Sequence, residues 1–398
     1  MRFLFYSHDG LGLGHTRRHI AVAAALVEMA PDSSVLLATG ADDVNRLGLQ
    51  AQVEVLKLPG LRKVSNGQYD SRRLRIPASE IRAIRSAVLL ATVNTFRPNV
   101  ALVDKHPFGA RGEFRAALDA LKDFGGRAVL GLRDILDEPA TVLKEWAPHN
   151  LKELIAESYD RILVYGHQAV FDPVAEYAFP VPLAERTTFC GYVVNEAEPA
   201  ETATGWLSPV IAANRDRPVV LATAGGGEDG FSLLQTFARA SIGAAWEGAI
   251  VAGPMIPEAE FKTLQQLATE ANIAFHAFVP SLPRLFSSVN ALVCMGGYNT
   301  LVEAISRGVP TVCVPRTAPR SEQLIRALAF ERLGLVRTVV PPQLSPESLR
   351  KAIDEVLGWS RKQLRQRACA RLEFSGARQA ATQLIALAAS KTHMAEAS

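Results

Sequence analysis

Short apolar runs alternate with longer amphipathic stretches along the whole chain. In the first half the runs are Arg2–Ser7, Ser34–Ala38, Val53–Leu58, Val100–Val103, Ala128–Gly131 and Arg161–Tyr165. In the second half they are Pro218–Ala224, Ala249–Ala252, Ile273–Ala277, Val289–Met295 and Thr311–Val314. Apolar strands spaced by helical patterns predict parallel sheets built from βαβ units. Each half opens with a strand feeding a glycine loop, Gly10-Leu11-Gly12-Leu13-Gly14-His15 in one and Ala224-Gly225-Gly226-Gly227 in the other. The expected class is α/β, with two Rossmann-like, doubly wound domains over 1–198 and 205–365. A polar linker without an apolar face is expected near Asn195–Thr204. The remainder, 366–398, is expected to form a terminal helix that crosses back onto the first domain, followed by a flexible tail.

Composition narrows the class. A chain of 398 residues with 48% hydrophobic content holds two ordinary cores. A formal charge of only +3 argues against generic nucleic-acid binding. The four cysteines (Cys190, Cys294, Cys313, Cys369) form no C-x-x-C pair, which suits a reducing compartment. The N-terminus has no signal-peptide shape, and no run approaches the ~20 apolar residues that cross a bilayer. A soluble, cytoplasmic protein is expected. The charge is uneven: between Lys57 and Arg97, nine basic residues face two acidic ones, a balance of +7. Such a run is either a solvated face or a dock for an anionic lipid, glycan or membrane surface, which would add peripheral membrane attachment.

The most informative segment is Cys294–Ala304 (Cys-Met-Gly-Gly-Tyr-Asn-Thr-Leu-Val-Glu-Ala), followed by Gly308-Val309-Pro310 and Glu322-Gln323. A buried strand, a two-glycine turn and a short helix let backbone N–H groups approach an anion at a helix N-terminus. Glu303, expected in the first helical turn, is placed to accept hydrogen bonds from both hydroxyls of a ribose. Thr300-x-x-Glu303 is equally a capping box, which needs no ligand. This segment resembles the donor-binding signature of GT-B glycosyltransferases, nearest to the family 28 group that includes the GlcNAc transferase of lipid II synthesis. The resemblance is firm over roughly 215–340 and looser over 1–195. It implies the GT-B architecture, two domains facing across a cleft. It also implies a donor site made by Gly225, Gly226, Gly296, Gly297, Asn299, Thr300, Glu303, Glu322 and Gln323, with Glu303 on the nucleotide ribose. The Phe275–Pro280 segment resembles the part of the family that clamps the base through its main chain, which adds Phe278 and Val279.

The first glycine loop lacks G-x-G-x-x-G spacing, which excludes an NAD enzyme. Family 28 has a related glycine–histidine loop facing the acceptor, and only His15 and part of the glycine pattern carry over. An imidazole at His15 can deprotonate an acceptor hydroxyl near neutral pH, with Asp104 placed to orient it. Charged residues directly after buried strands mark acceptor candidates: Lys105, His106, Arg133 and Asp134, joined by Gly12, Gly14 and Arg17 from the loop. For each, a salt bridge or helix cap is the competing account. His15 and His19 have metal-ligand spacing but no third partner. The chain holds no Asp-x-Asp, so charge on the departing nucleotide is expected to meet helix N-termini and backbone amides, with no metal or other cofactor.

The expected activity is therefore transfer of a hexosyl or N-acetylhexosaminyl group from a nucleotide sugar, UDP being favoured, to a hydroxyl of a saccharide or lipid-linked saccharide. Cell-envelope or exopolysaccharide synthesis would use such a step. The alternatives are a non-hydrolysing UDP-sugar 2-epimerase and a non-catalytic nucleotide-sugar-binding subunit. No clear epimerase signature is visible, and possession of both domains and His15 argues against the second.

Overall fold

The structure is a computed structural model that describes residues 1–8, 13–42, 44, 48–65, 68–195, 217–279 and 282–396. The chain forms two compact units. One comprises Met1–Gln168, Asp172–Val193 and Ser375–Ser398; the other comprises Ala169–Phe171 and Val194–Phe374.

The first unit holds strands β1 (Arg2–Ser7), β2 (Ser34–Thr39), β3 (Val53–Lys57), β4 (Leu61–Ser65), β5 (Gln68–Ser71), β6 (Val100–Asp104), β7 (Arg127–Arg133), β8 (Arg161–Tyr165) and β9 (Thr187–Phe189). Seven of them make one parallel sheet in the order β3-β2-β1-β6-β7-β8-β9. Central strands such as β6, Val-Ala-Leu-Val-Asp, are buried throughout because helices cover both sheet faces. The order reverses between β1 and β6, and in open α/β sheets ligands bind outside the carboxyl ends of the strands at that reversal.

The second unit holds β10 (Val219–Thr223), β11 (Glu247–Val251), β12 (Ala274–His276), β13 (Ala291–Cys294), β14 (Thr311–Cys313) and β15 (Arg337–Thr338). They form a parallel sheet ordered β12-β11-β10-β13-β14-β15, reversing between β10 and β13. Its core gathers Val220, Ala222, Phe237, Trp246, Ile250, Val293 and Ile353.

The eleven apolar runs all become strands, within a residue or two at their ends. The terminal helix Gly376–Glu396 belongs to the first unit, as expected; it packs there on the helix Leu13–Met29, and Arg378 meets Glu28 at 2.9 Å. The change of unit falls at Phe374/Ser375 rather than at 366, because the helix Arg361–Cys369 packs on the helix Tyr298–Ser306 of the second unit. Of the expected linker, Asn195 is described; 196–204 lie outside the described residues.

The basic window is also not the open charged face its composition suggests. Part of it is an antiparallel hairpin, β4–β5, whose Leu61 packs with Ile81 and Ala110. Arg85 is fully buried, with Nε 2.7 Å and Nη2 2.6 Å from the Glu113 carboxylate, which also accepts the Tyr6 hydroxyl. Lys57, Arg72 and Arg73 converge on Asp42 at 3.2, 2.8 and 3.0 Å. Arg62 pairs with Asp70 at 3.1 Å, and Arg97 caps the helix Ala78–Phe96 with its guanidinium over Phe124. No helix among the described residues is long and apolar enough to cross a membrane.

Candidate functional site

In the second unit the two strands flanking the reversal each deliver a glycine turn to a helix. β10 leads through Ala224–Gly230 into the helix Phe231–Ser241; β13 leads through Met295–Gly297 into the helix Tyr298–Ser306. Neither helix has a side-chain cap, and both start from glycine. Two N-terminal dipole ends thus arise from adjacent strands, the arrangement that favours an anion. Gly296 sits at φ +80 with a would-be Cβ only 2.8 Å from Cys313 Sγ, so it is required by the fold. At Gly225 and Gly297 nothing stands within 4 Å of a would-be Cβ, so packing does not demand their smallness; the space before them is open. The buried Arg326 donates to the Gly296 carbonyl at 3.0 Å and fixes the second turn.

Glu303 departs from expectation. Gly297 is the N-cap, which puts Glu303 in the second turn, and the Thr300–Glu303 capping box does not form. Its buried carboxylate instead accepts from the Asn195 N–H at 2.8 Å and from the Arg307 guanidinium, which also reaches the Asn195 carbonyl at 2.9 Å. Asn299 and Thr300 are half-buried in the first turn.

Glu322 and Gln323 open the next helix, Glu322–Arg332. Arg316 organises both. Its Nη2 lies 2.9 Å from Glu322, its Nη1 2.6 Å from Asp229 in the first glycine loop, and its backbone N–H donates to Gln323 Oε1 at 3.1 Å. Glu322 is buried, and its second carboxylate oxygen has no hydrogen-bond partner among the described residues. A buried, unsatisfied anionic oxygen is costly and marks a position where a ligand hydroxyl would be welcome. Phe278 follows β12 and is 38% exposed, so it is not core packing; Val279 beside it is half-buried. The sequence reading did not single out Arg316, Arg326 or Arg307. The signal available was an arginine beside each recognised carboxylate or turn, visible only once the loops are folded together.

In the first unit the residues at the β1/β6 reversal form a histidine cluster. His15 Nδ1 lies 3.0 Å from Asp104 Oδ2, and the buried Arg18 lies 2.6 Å from that same oxygen and 2.8 Å from His15 Nδ1. His19 Nε2 stands 3.9 Å away from it, and His8 packs against His106 and His15 at ring separations of 4.2 and 6.0 Å. Burial alone would raise the Asp104 carboxyl; Arg18, His15 and His19 outweigh it and hold the group far below the usual carboxylate range. Burial lowers His19 to about 4, and burial together with His106 and His15 pushes His8 well down. Nδ1 of His15 can donate to Asp104 or accept from Arg18, not both. Donation to Asp104 leaves the Nε2 lone pair able to take a proton.

The other expected acceptor residues divide. Gly12 lies outside the described residues. Gly14, Arg17, Lys105 and His106 are partly exposed at this end of the sheet, with Lys105 at φ +66, a conformation that non-glycine residues hold where the surroundings enforce it. Arg133 is half-buried. Asp134 is fully buried and accepts from the Ile135 N–H at 2.8 Å in the turn after β7. His8 and Arg18 were not singled out, and His19 was weighed only for metal-ligand spacing; Arg18 and His19 point inward from the helix Leu13–Met29 toward Asp104 at the end of β6, a contact no local pattern shows.

The profile of the glycosyltransferase family 28 C-terminal domain matches residues 251–384. Over 193 residues the chain is 28% identical to the NDP-glycosyltransferase YjiC of Bacillus licheniformis, covering 48% of this chain and 44% of that one. Over 275 residues it is 26% identical to the UDP-N-acetylglucosamine–N-acetylmuramyl-(pentapeptide) pyrophosphoryl-undecaprenol N-acetylglucosamine transferase of Corynebacterium efficiens, covering 66% and 71%. Among solved structures, the UDP-glucose:anthocyanidin 3-O-glucosyltransferase in complex with UDP superposes with a TM-score of 0.66 at 12% identity, over 98% of this chain and 99% of that one. The fold is GT-B.

Proposed function

We propose that this chain, a GT-B protein resembling glycosyltransferase family 28, moves a hexosyl or N-acetylhexosaminyl group from a UDP-sugar to a hydroxyl of a saccharide or lipid-linked saccharide. The observation that carries this reading is the pair of uncapped, glycine-led helix starts at the β10/β13 reversal, followed by Glu303 and by Glu322–Gln323. A diphosphate suits the two helix N-termini, a ribose diol suits Glu303, and the sugar hydroxyls suit Glu322 and Gln323. Phe278 and Val279 are the surface for the base. That a glucosyltransferase of the same fold was solved with UDP supports uracil.

In the first unit His15 is the base. As the acceptor oxygen bonds to the anomeric carbon, its proton passes to His15 Nε2 and the bond from that carbon to the UDP oxygen breaks. Asp104 stabilises the imidazolium that results. Arg316 and the helix N-termini take the charge of the departing diphosphate, and no metal is required. The protein acts in the cytoplasm within cell-envelope or exopolysaccharide synthesis, with peripheral attachment wherever the acceptor is lipid-linked.

Incubation with UDP-sugars, with and without candidate acceptors, should release UDP in an acceptor-dependent way. His15→Gln and Asp104→Asn should lose turnover by about 100-fold or more, the usual contribution of a general base, while binding UDP as tightly as wild type. Epimerised UDP-sugar without UDP release would replace transfer with 2-epimerisation. UDP-sugar binding with no chemistry would leave a binding subunit.

A further inference from the structure

The helix Arg361–Cys369 reads Arg-Lys-Gln-Leu-Arg-Gln-Arg-Ala-Cys; it buries Leu364 and Ala368 and leaves its basic positions outside. Its first turn lies on Gly308, just beyond the helix Tyr298–Ser306. A Cβ at Gly308 (φ +66) would stand 2.4 Å from the Arg361 carbonyl oxygen and 2.9 Å from Arg365 Cβ, so only glycine permits this approach. The approach sets Arg307 beside Arg361, Lys362 and Arg365. With Gln366 and Cys369 these four cations line an open cavity of about 420 Å³.

Among the described residues no carboxylate lines that cavity. Arg361 is held by the carbonyls of Val289 and Phe286, at 2.9 and 2.6 Å, which fix its guanidinium without neutralising it. Arg307 meets one carboxylate, Glu303. Lys362 and Arg365 are exposed and have no ion pair or hydrogen bond among the described residues. In the Lys57–Arg97 window five of the nine basic residues meet Asp42, Asp70 or Glu113; here, among the described residues, Arg361, Lys362 and Arg365 meet no carboxylate and only Arg307 is paired. Like charges gathered around a concavity repel one another and concentrate anions in it. Guanidinium forks favour phosphate oxygens in particular.

We propose that this cavity is a binding site for a phosphate-bearing ligand, held by Arg307, Arg361, Lys362 and Arg365. The volume accommodates a phosphoester group with a small substituent. A lipid headgroup and a soluble phosphate compound share this chemistry.

The test uses the full chain, wild type against Lys362→Glu/Arg365→Glu. Both positions are exposed, and a thermal melt checks that the double variant folds. Sodium pyrophosphate is titrated by calorimetry. Vesicles of phosphatidylcholine carrying phosphatidylglycerol are sedimented at low and high salt. The wild type should bind at least one probe, more weakly as salt rises, and the double variant should lose about tenfold or more in affinity. Binding to vesicles alone identifies a lipid phosphate; binding to pyrophosphate identifies a soluble one. A pyrophosphate event equal in both proteins belongs to the Gly225–Gly227 loop and speaks only to the donor reading. Equal affinity of wild type and folded double variant for both probes, or no binding of either by the wild type, overturns the proposal.

Discussion

His19 shows how much a single side chain can carry. Its ring is fully buried against Phe5, neither nitrogen has a hydrogen-bond partner among the described residues, and burial lowers its pKa to about 4. Unfolded, the same imidazole titrates near 6.5. Below that pH the unfolded chain takes up a proton that the folded chain refuses until about pH 4. Stability is therefore intact above pH 6.5 and falls as pH drops through this window, by up to about 3 kcal/mol from this one group. His19→Leu should flatten that part of the stability–pH curve in urea titrations; an unchanged curve would assign the acid sensitivity elsewhere. Glu303 is the second residue-scale case. Its carboxylate already holds Asn195 and Arg307, so Glu303→Gln is the informative change because it keeps the shape and removes the anion. UDP affinity should weaken by about 1.5–3 kcal/mol, the range for hydrogen bonds to a charged group. Calorimetry showing no change would leave the internal ion pair as its whole role.

Among the elements, the turn Gly296–Gly297 separates what the fold needs from what a ligand needs. Ala at 296 must adopt φ +80 and meet Cys313 Sγ, so Gly296→Ala should cost about 1–3 kcal/mol of stability, read as a lower denaturation midpoint. Gly297 has φ −58 and open space where its Cβ would be, so Gly297→Ala should fold as wild type. Its methyl group would stand in front of the helix N-terminus and should weaken UDP binding. Equal UDP affinity for wild type and Gly297→Ala would move the diphosphate away from this turn. The apolar strands at these ends were legible in sequence because burial on both faces leaves a continuous apolar run. The hairpin β4–β5 was not, since Leu61-Arg62-Lys63-Val64-Ser65 and Gln68-Tyr69-Asp70-Ser71 carry no regular apolar alternation. β9 and β15, three and two residues long, are too short to show a period.

For the molecule as a whole, the two sheets share one strand order up to their last strand, each with a reversal near which candidate site residues lie. Carboxylate chemistry there is taken up by arginines: Arg18 on Asp104, Arg307 on Glu303 and Arg316 on Asp229 and Glu322. Turnover should accordingly survive EDTA. Loss of UDP release in EDTA with rescue by Mg²⁺ or Mn²⁺ would show that the leaving diphosphate needs a metal.

The sequence by itself determined eleven of the fifteen described strands, the parallel α/β class and the two glycine turns, and it singled out His15, Glu303 and the Glu322–Gln323 pair as candidates. These are local signals, written in the period of apolar residues and in short motifs. Only the tertiary structure decided which charges remain available. Arg85 vanished into a buried pair with Glu113, and Asp134 turned inward. Asp104 gathered His15, Arg18 and His19 around one oxygen. The partners in those contacts lie up to 89 residues apart, and no periodicity links such positions. A charge's role depends on what lies within a few ångströms of it, and that distance is set by the packing of whole elements.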